Sequence, residues 1–250
     1  MLRFERVLIT GAKGVLGTEL RSQLDQYKIP YVGTDIEVDV CDHSAFYKTL
    51  LRSHCDVVIH CAGIVDVPWC ETNRDKAYQV NVDGTVNVAR SCQELDRFMV
   101  HISSDYVFRG DKEYKGDGVE GNYEMYDRLD PINYYAYTKI LADIAVQNRL
   151  PHYSIVARIS FKKKGPWPYP KAFIDQYTSR DTVDIIANQI LQVTFGRRFG
   201  IVHLGTERKT VYELAKRQSP EVEPMSINDI KNVALPKDTS MKLTKVEKVL

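Results

Sequence analysis

The chain has 250 residues, 44% of them hydrophobic, and carries 34 Lys and Arg against 33 Asp and Glu. This length is enough to bury a full core in one large domain, or in a main domain with a small satellite. The formal net charge of +1 argues against a basic surface for nucleic acid and against an acidic tail, and therefore favours a small-molecule partner.

Cysteine content and hydrophobic patterning indicate where the protein works. No two of the five cysteines have Cys-x-x-Cys spacing, and any disulfide scheme would leave one thiol unpaired. Both observations favour a reducing compartment. The N-terminus leads into an apolar strand without a charged-then-apolar leader, and no apolar run approaches the roughly 18 residues of a membrane span. We therefore predict a soluble cytoplasmic protein with no nucleic-acid or membrane partner and no metal site.

Short apolar runs alternate with longer amphipathic stretches along the chain. The runs are continuous rather than alternating, which is typical of parallel strands buried on both faces. They occupy residues 7–9, 31–32, 57–59, 99–102, 155–157 and 201–204. Helices are predicted over residues 15–27, 44–52, 75–95, 134–149, 182–195 and 211–217. This order predicts an α/β fold with a doubly wound parallel sheet of the Rossmann type.

The regular alternation ends after residue 160. We predict a dinucleotide-binding Rossmann domain over residues 1–160 and a small substrate-binding portion over 161–250, from which residues 199–206 return a strand to the sheet. The C-terminal portion is expected to lie as a cap over the carboxyl ends of the strands. The basic run at residues 162–164 is interpreted as a solvated loop rather than a site.

A glycine-rich turn follows the first predicted strand. Residues 10–17 read Thr-Gly-Ala-Lys-Gly-Val-Leu-Gly. Such a turn lets the next helix direct its N-terminal N–H groups and positive dipole end at a pyrophosphate, while the glycines permit close backbone approach. The same spacing also occurs in strand-to-helix turns that bind nothing. The candidate cofactor-binding residues of the turn are Gly11, Lys13, Gly14, Val15 and Leu16.

Asp35, at the end of the second predicted strand, favours a dinucleotide. Its carboxylate can accept hydrogen bonds from the adenosine ribose hydroxyls and would repel a 2′-phosphate, whereas Lys13 can pair with that phosphate. NADH and NADPH both remain candidates, with the carboxylate favouring NADH. Asp39 and Val40 can border the adenine, and Asp42 is an equally good helix N-cap.

Two further segments fall where a cofactor is expected. Cys61, Ala62 and Gly63 follow the third strand, and their small size lets backbone lie beside a cofactor, although they also suit a plain turn. Asn81 stands in the middle of a predicted helix, where asparagine is unfavourable. We therefore expect its amide to bond a loop backbone or the cofactor side of the pocket.

Ser104, Tyr135 and Lys139 are the candidate catalytic residues. Ser104 ends the fourth strand, at the edge where ligands bind in such sheets. Tyr135 and Lys139 stand four apart on a predicted helix and share a face, so the ammonium is expected to lower the pKa of the phenol. This predicts nicotinamide-dependent carbonyl chemistry with Tyr135 as general acid, while Ser104 holds the carbonyl oxygen. The neighbouring Tyr137 is expected to pack or face solvent.

Several motifs occur together along nearly the whole chain. They occupy residues 10–17, 80–89, 101–108 and 131–139, with a weaker match at 175–184. Through them the chain resembles the extended short-chain dehydrogenase/reductase family, and within it the dTDP-4-dehydrorhamnose reductase branch.

The resemblance implies roles for individual residues. The catalytic hydroxyl residue, tyrosine and lysine of that family match Ser104, Tyr135 and Lys139, and the last two also contact the nicotinamide cofactor. Ser104 stands where the branch usually has threonine. Ala136 replaces the usual glycine, and both changes are mild.

The resemblance also implies an activity, the NAD(P)H-dependent reduction of an NDP-4-dehydro-6-deoxyhexose in nucleotide-sugar biosynthesis. Dehydratases of similar fold need a glutamate where this chain has Tyr106, and the fucose-synthase branch has a cysteine where this chain has Asp105. Two alternatives stay open: a non-catalytic NAD(P)-binding regulatory subunit, and a sugar-nucleotide epimerase with tightly bound NAD. A homodimer is also left open.

The segment before residue 175 departs from the family pattern. Only residues 162–174 are available where the family carries a longer substrate loop and helix, so a truncated or rebuilt nucleotide-sugar pocket is expected. Trp167 or Tyr169 can stack on the nucleotide base, and it is equally consistent with the sequence that both anchor the loop to the core.

Overall fold

A six-stranded parallel sheet forms the centre of the molecule in a computed structural model that describes residues 4–118 and 120–250. The strands are β1 (Val7–Thr10), β2 (Tyr31–Thr34), β3 (Val57–His60), β4 (Phe98–Ser104), β5 (Ser154–Ile159), β6 (Phe161–Lys162), β7 (Lys171–Phe173), β8 (Tyr177–Thr178), β9 (Asp181–Thr182), β10 (Gly200–His203), β11 (Lys209–Thr210) and β12 (Glu223–Met225). The central sheet has the order β2-β1-β3-β4-β5-β10. This confirms the predicted doubly wound sheet, and its direction of winding reverses between β1 and β3.

Helices cover both faces of the sheet. They are α1 (Val15–Gln26), α2 (His43–Ser53), α3 (Val67–Thr72), α4 (Arg74–Tyr78), α5 (Gly84–Glu94), α6 (Tyr134–Arg149), α7 (Val183–Phe195) and α8 (Val211–Gln218). Apolar residues of α1 and α7 pack on one face, and those of α2, α5 and α6 pack on the other. Burial on both faces explains why the strands read as continuous apolar runs.

The prediction of one regular helix over residues 75–95 is wrong. The segment consists of α4, a π-helical turn (Gln79–Asp83) and α5. Asn81 lies in that turn, where its amide bonds both the loop after β3 and α6. The wider turn presents this side chain to two partners, a tertiary requirement that overrides the regular helical repeat. Helix α3 was absent from the predicted elements, although Asp66 caps it by accepting from the Trp69 N–H.

The region after residue 160 contributes to two parts of the molecule. Helix α7 packs against α1, and β10 closes the edge of the sheet, so residues 183–203 belong to the central core. The remaining short strands form the pairs β6–β9, β7–β12 and β8–β11. Residues of β7 and α8 share a small apolar cluster that includes Trp167 and Leu214. The domain division at residue 160 stays a prediction, and its first three residues lie outside the described range.

No helix in residues 4–118 and 120–250 combines the length and the apolar character that a bilayer-spanning helix needs.

Arg208 joins the cap to two other parts of the chain. Its guanidinium lies 3.9 Å from the ring centroid of Tyr114 and 3.7 Å from that of Tyr177. It also donates to Asp238 Oδ2 at 2.9 Å, and both members of this ion pair are nearly buried. Planar, always charged arginine suits such a stacked and paired position.

We expect Arg208→Met to lower the free energy of unfolding by about 3 kcal/mol, because it leaves the Asp238 carboxylate buried without its cation. Urea titration monitored by circular dichroism measures the change. Arg217→Met is the matched control. It removes an exposed pair with Glu207 (2.7 Å) and should cost less than about 1 kcal/mol. Equal losses in the two variants would contradict the prediction.

Candidate active site

A cleft of about 500 Å³ opens at the carboxyl ends of β1, β3, β4 and β5. Its walls include the glycine turn, the loop after β3 and all three candidate catalytic residues. From the side of the cap, Lys162, Tyr169 and Arg180 complete the lining. Parallel strands that end at one edge of the sheet bring these distant parts of the sequence together.

A second cleft of about 430 Å³ adjoins the first. The two share a border of small residues from the glycine turn and the loop after β3, and the second extends along the end of β2. The candidate cofactor residues that line one or both clefts are Gly11, Gly14, Val15, Leu16, Asp35, Asp39, Val40, Cys61, Ala62, Gly63, Asn81, Tyr135 and Lys139. Lys13 lines neither. Asp42 caps α2 by accepting from the Ala45 N–H.

The glycine turn allows the backbone to approach closely where a side chain would collide. Gly11 adopts φ +64°, and a Cβ there would lie 2.8 Å from the backbone nitrogen of Ala62. A Cβ on Gly17 would lie 2.3 Å from the carbonyl oxygen of Gly11. Helix α1 begins at the cleft with Gly14 as N-cap and no side-chain acceptor on its first turn. These residues fit the pyrophosphate of a dinucleotide, because the first-turn N–H groups lack a side-chain partner.

Lys13 is held by two acidic residues. Its backbone N–H donates to Asp35 Oδ2 at 2.8 Å, and its ammonium donates to Glu37 Oε2 at 3.0 Å. The pKa of Glu37 is lowered first by its own backbone N–H and then by Lys13. Glu37 was missed by the sequence analysis. Its signal is the Asp35-x-Glu37 spacing after β2, but the spacing alone does not identify the lysine that it meets.

Asn81 connects the loop after β3 to α6. Its Oδ1 accepts from the Ile64 N–H at 2.7 Å, while its amide donates to the Ile64 carbonyl at 2.9 Å and to Thr138 Oγ1 at 3.0 Å. The loop bond expected from the sequence is therefore present. Direct contact of Asn81 with a cofactor stays a prediction.

Ser104, Tyr135 and Lys139 lie together at the inner wall of the first cleft. Burial raises the pKa of Tyr135, and the Ser104 hydroxyl partly opposes this rise. The expectation that Lys139 lowers that pKa is wrong: burial is the main cause and raises it, and the Lys139 ammonium donates to the Ile102 carbonyl at 2.6 Å. The phenol is consequently in its protonated, proton-donating form at neutral pH.

A buried charge network behind the cleft supports Lys139. Burial lowers the pKa of Lys139 to about 8, and Asp143, one turn further along α6, partly opposes this shift. The Asp143 carboxylate lies 3.4 Å from Arg158 Nε and 3.4 Å from His101 Nε2. Sequence reasoning missed this network, although the Lys139-x-x-x-Asp143 spacing is visible on a predicted helix.

Asp105 links the catalytic wall to the C-terminal part of the chain. Its Oδ2 accepts hydrogen bonds from Thr239 Oγ1 at 2.7 Å and Thr178 Oγ1 at 3.3 Å. Burial raises the pKa of this carboxyl group, while the charge of Arg180 opposes the rise. The residue after Ser104 is therefore held by the C-terminal part of the chain as well as by the Ser104 hydroxyl, which donates to Asp105 Oδ1 at 3.4 Å.

The cap side of the cleft overturns the interpretation of Lys162 as part of a solvated loop, and it gives Trp167 and Tyr169 different positions. Lys162 is not a solvated loop residue: it stands in β6, is half-buried and lines the cleft. Trp167 is buried in the cap cluster, and its indole N–H donates to the Lys171 carbonyl at 3.3 Å, so it anchors the loop. Tyr169 lines the cleft and leaves 55% of its surface exposed.

The family described as RmlD substrate binding domain matches residues 5–213. The chain belongs to this family. The match confirms the resemblance drawn from the motifs, and it covers both the catalytic wall and the first part of the cap.

Individual relatives and a solved structure agree with this membership. The chain is 36% identical over 155 residues to a dTDP-4-dehydrorhamnose reductase of Mycobacterium tuberculosis, a match that covers 62% of this chain and 49% of that protein. It is 32% identical over 149 residues to a bovine (Bos taurus) protein named methionine adenosyltransferase 2 subunit beta, covering 56% of this chain and 42% of that one. These matches thus span about half the length of the relatives or less.

Among solved structures, the dTDP-4-dehydrorhamnose reductase of Bacillus anthracis in complex with NADP superposes with a TM-score of 0.84 at 26% identity. The superposition covers 97% of this chain and 91% of that chain. The fold of this family member is therefore matched over nearly its whole described length.

Proposed function

We propose that the chain reduces the 4-keto group of an NDP-4-dehydro-6-deoxyhexose with NADH or NADPH. The observation that carries the proposal is that Ser104, Tyr135 and Lys139 line the same cleft as the glycine turn. The name of the Mycobacterium tuberculosis relative supports this activity, and the NADP complex of a structural neighbour supports the cofactor class.

Each residue of the inner wall has a separate role in the proposed reduction. Bound NAD(P)H supplies a hydride for the carbonyl carbon of the sugar. Tyr135 donates its phenolic proton to the carbonyl oxygen, and Ser104 donates a hydrogen bond to the same oxygen. Lys139 offsets the negative charge that remains on Tyr135 after the transfer. Asp143 acts behind it by favouring the charged form of that ammonium.

Tyr135→Phe should reduce turnover by a factor on the order of 10²–10⁴ while leaving cofactor affinity nearly unchanged, because it removes the proton donor and little else. NAD(P)H consumption with NDP-4-keto sugars measures turnover, and fluorescence titration measures cofactor binding. Tyr137→Phe, at a position with 42% of its surface exposed, is the control and should behave like the wild type. Unchanged turnover in Tyr135→Phe would sink the assignment.

The rate of reduction should fall as pH rises through about 8, because the pKa of Lys139 is lowered to that value and the ammonium is present only below it. A profile of kcat/KM from pH 6 to 10 records the loss. Lys139→Met should lower activity throughout and remove this alkaline limb. A wild-type profile that stays flat across the range would overturn the role of Lys139.

Glu37→Gln should shift cofactor preference toward NADPH by about fivefold, because it releases the Lys13 ammonium and removes a negative charge beside the predicted 2′-phosphate position. Lys13→Met should shift it in the opposite direction. The dissociation constants of NADH and NADPH, measured for both variants, give the ratio. If neither substitution moves that ratio, the 2′-position of the cofactor is recognised elsewhere.

A second candidate function is that of a non-catalytic NAD(P)-binding regulatory subunit. The similarity to the bovine methionine adenosyltransferase subunit and the short segment at residues 162–174 favour it. Assays with a panel of NDP-4-keto sugars separate the two, because a regulatory subunit consumes no NAD(P)H. An epimerase would instead retain NAD through purification and show no net oxidation.

We also propose that the protein works in the cytoplasm. The five cysteines are free in the structure, which agrees with a reducing compartment. Size-exclusion chromatography coupled to light scattering decides between a monomer and a homodimer.

A further inference from the structure

Two cationic side chains of the cap line the catalytic cleft. Lys162 belongs to β6, and Arg180 directly precedes β9. These two strands pair in parallel, with Phe161 opposite Asp181 and Lys162 opposite Thr182. The pairing brings the two positive charges to the cap side of the cleft. Ser104 and Tyr135 line the same cleft from its inner wall.

Lys162 is held in place by aromatic contacts and carries no counter-charge. Its ammonium lies 5.1 Å from the ring centroid of Trp167 and 4.8 Å from that of Tyr169. Because Trp167 is itself buried in the cap cluster, one of the two aromatic partners of Lys162 is held in a fixed position. Within residues 4–118 and 120–250, no carboxylate forms an ion pair with Lys162. Burial, together with the charge of Arg180, lowers the pKa of Lys162 to about 8.

Arg180 is oriented by a neutral partner. Its Nε donates to Ser160 Oγ at 2.8 Å, a bond that fixes the side chain without cancelling its charge. The carboxylate that senses this charge, Asp105, is already occupied by Thr178 and Thr239. Two like charges on a half-buried wall repel each other, and binding of an anion between them would relieve the repulsion.

We propose that Lys162 and Arg180 form an anion subsite that binds the diphosphate of the nucleotide-sugar substrate. The inference rests on the proposed function and names the residues that hold the substrate in it. Arginine and lysine are the side chains that pair with phosphate oxygens, arginine in bidentate fashion. The site is distinct from the glycine turn, which comes from β1 and α1 and fits the cofactor pyrophosphate. A diphosphate fixed on the cap wall would present the sugar to Ser104 and Tyr135.

Calorimetric titrations with dTDP, deoxythymidine and NADPH test the subsite. Lys162→Met removes the ammonium and keeps an unbranched side chain of similar length, and Arg180→Gln keeps a donor for Ser160. Each substitution should weaken dTDP binding about tenfold and leave the affinities for deoxythymidine and NADPH unchanged, because it removes one charged contact to phosphate. Lys163→Met, at the exposed neighbouring lysine, should bind dTDP like the wild type.

The outcomes separate the subsite from the function on which it rests. If the wild type binds dTDP and both variants bind it equally well, the subsite is wrong and the reductase proposal stands. If the variants lose NADPH affinity instead, the two cations serve the cofactor and the subsite is also wrong. If the wild type binds NADPH but neither dTDP nor UDP, the nucleotide-sugar substrate itself is refuted. Thermal unfolding verifies each variant, with Lys162→Gln and Arg180→Lys as replacements for one that does not fold.

Discussion

The position of α6 on the sheet depends on two charges that it buries. Lys139 donates to the Ile102 carbonyl of β4, and Asp143 lies against Arg158 of β5 and His101 of β4. Each charge has its partner on a strand, so rotating or sliding the helix would separate several charged contacts at once. Leaving one such group buried alone costs about 3–5 kcal/mol. The same contacts that satisfy these charges therefore fix Tyr135 at the edge of the cleft.

In the part of the cleft that fits the dinucleotide, close packing of one backbone segment on another, rather than charge, fixes the arrangement. Gly11 packs against the backbone of Ala62, and Asn81 holds the continuation of that loop at Ile64 while also reaching Thr138 of α6. The loop after β3 consequently has a fixed distance both from the glycine turn and from the helix that carries Tyr135. The two halves of the cleft share one framework, and a displacement at the loop would be transmitted to both.

Much of this arrangement can be predicted from the sequence, because its signals are local. Apolar runs give the strands, the glycine spacing gives the turn at Gly11, and strand ends locate Ser104. The features that could not be predicted depend on distant partners. The π-helical turn accompanies hydrogen bonds that Asn81 makes with residues outside its own helix. The position of Lys162 is set by the pairing of β6 with β9 and by the contact with Trp167. The pKa of Tyr135 follows burial, which the spacing to Lys139 does not reveal.

The bond between Thr239 and Asp105 spans 134 positions of sequence and ends one residue from Ser104. During synthesis on the ribosome, the strands and α6 emerge long before their last partner does. The catalytic wall is therefore completed only when residues 238–240 have left the exit tunnel and docked. Contacts of such sequence separation form late and slowly. A nascent chain of this protein would pass through a stage in which its sheet is formed while its catalytic wall still lacks a support.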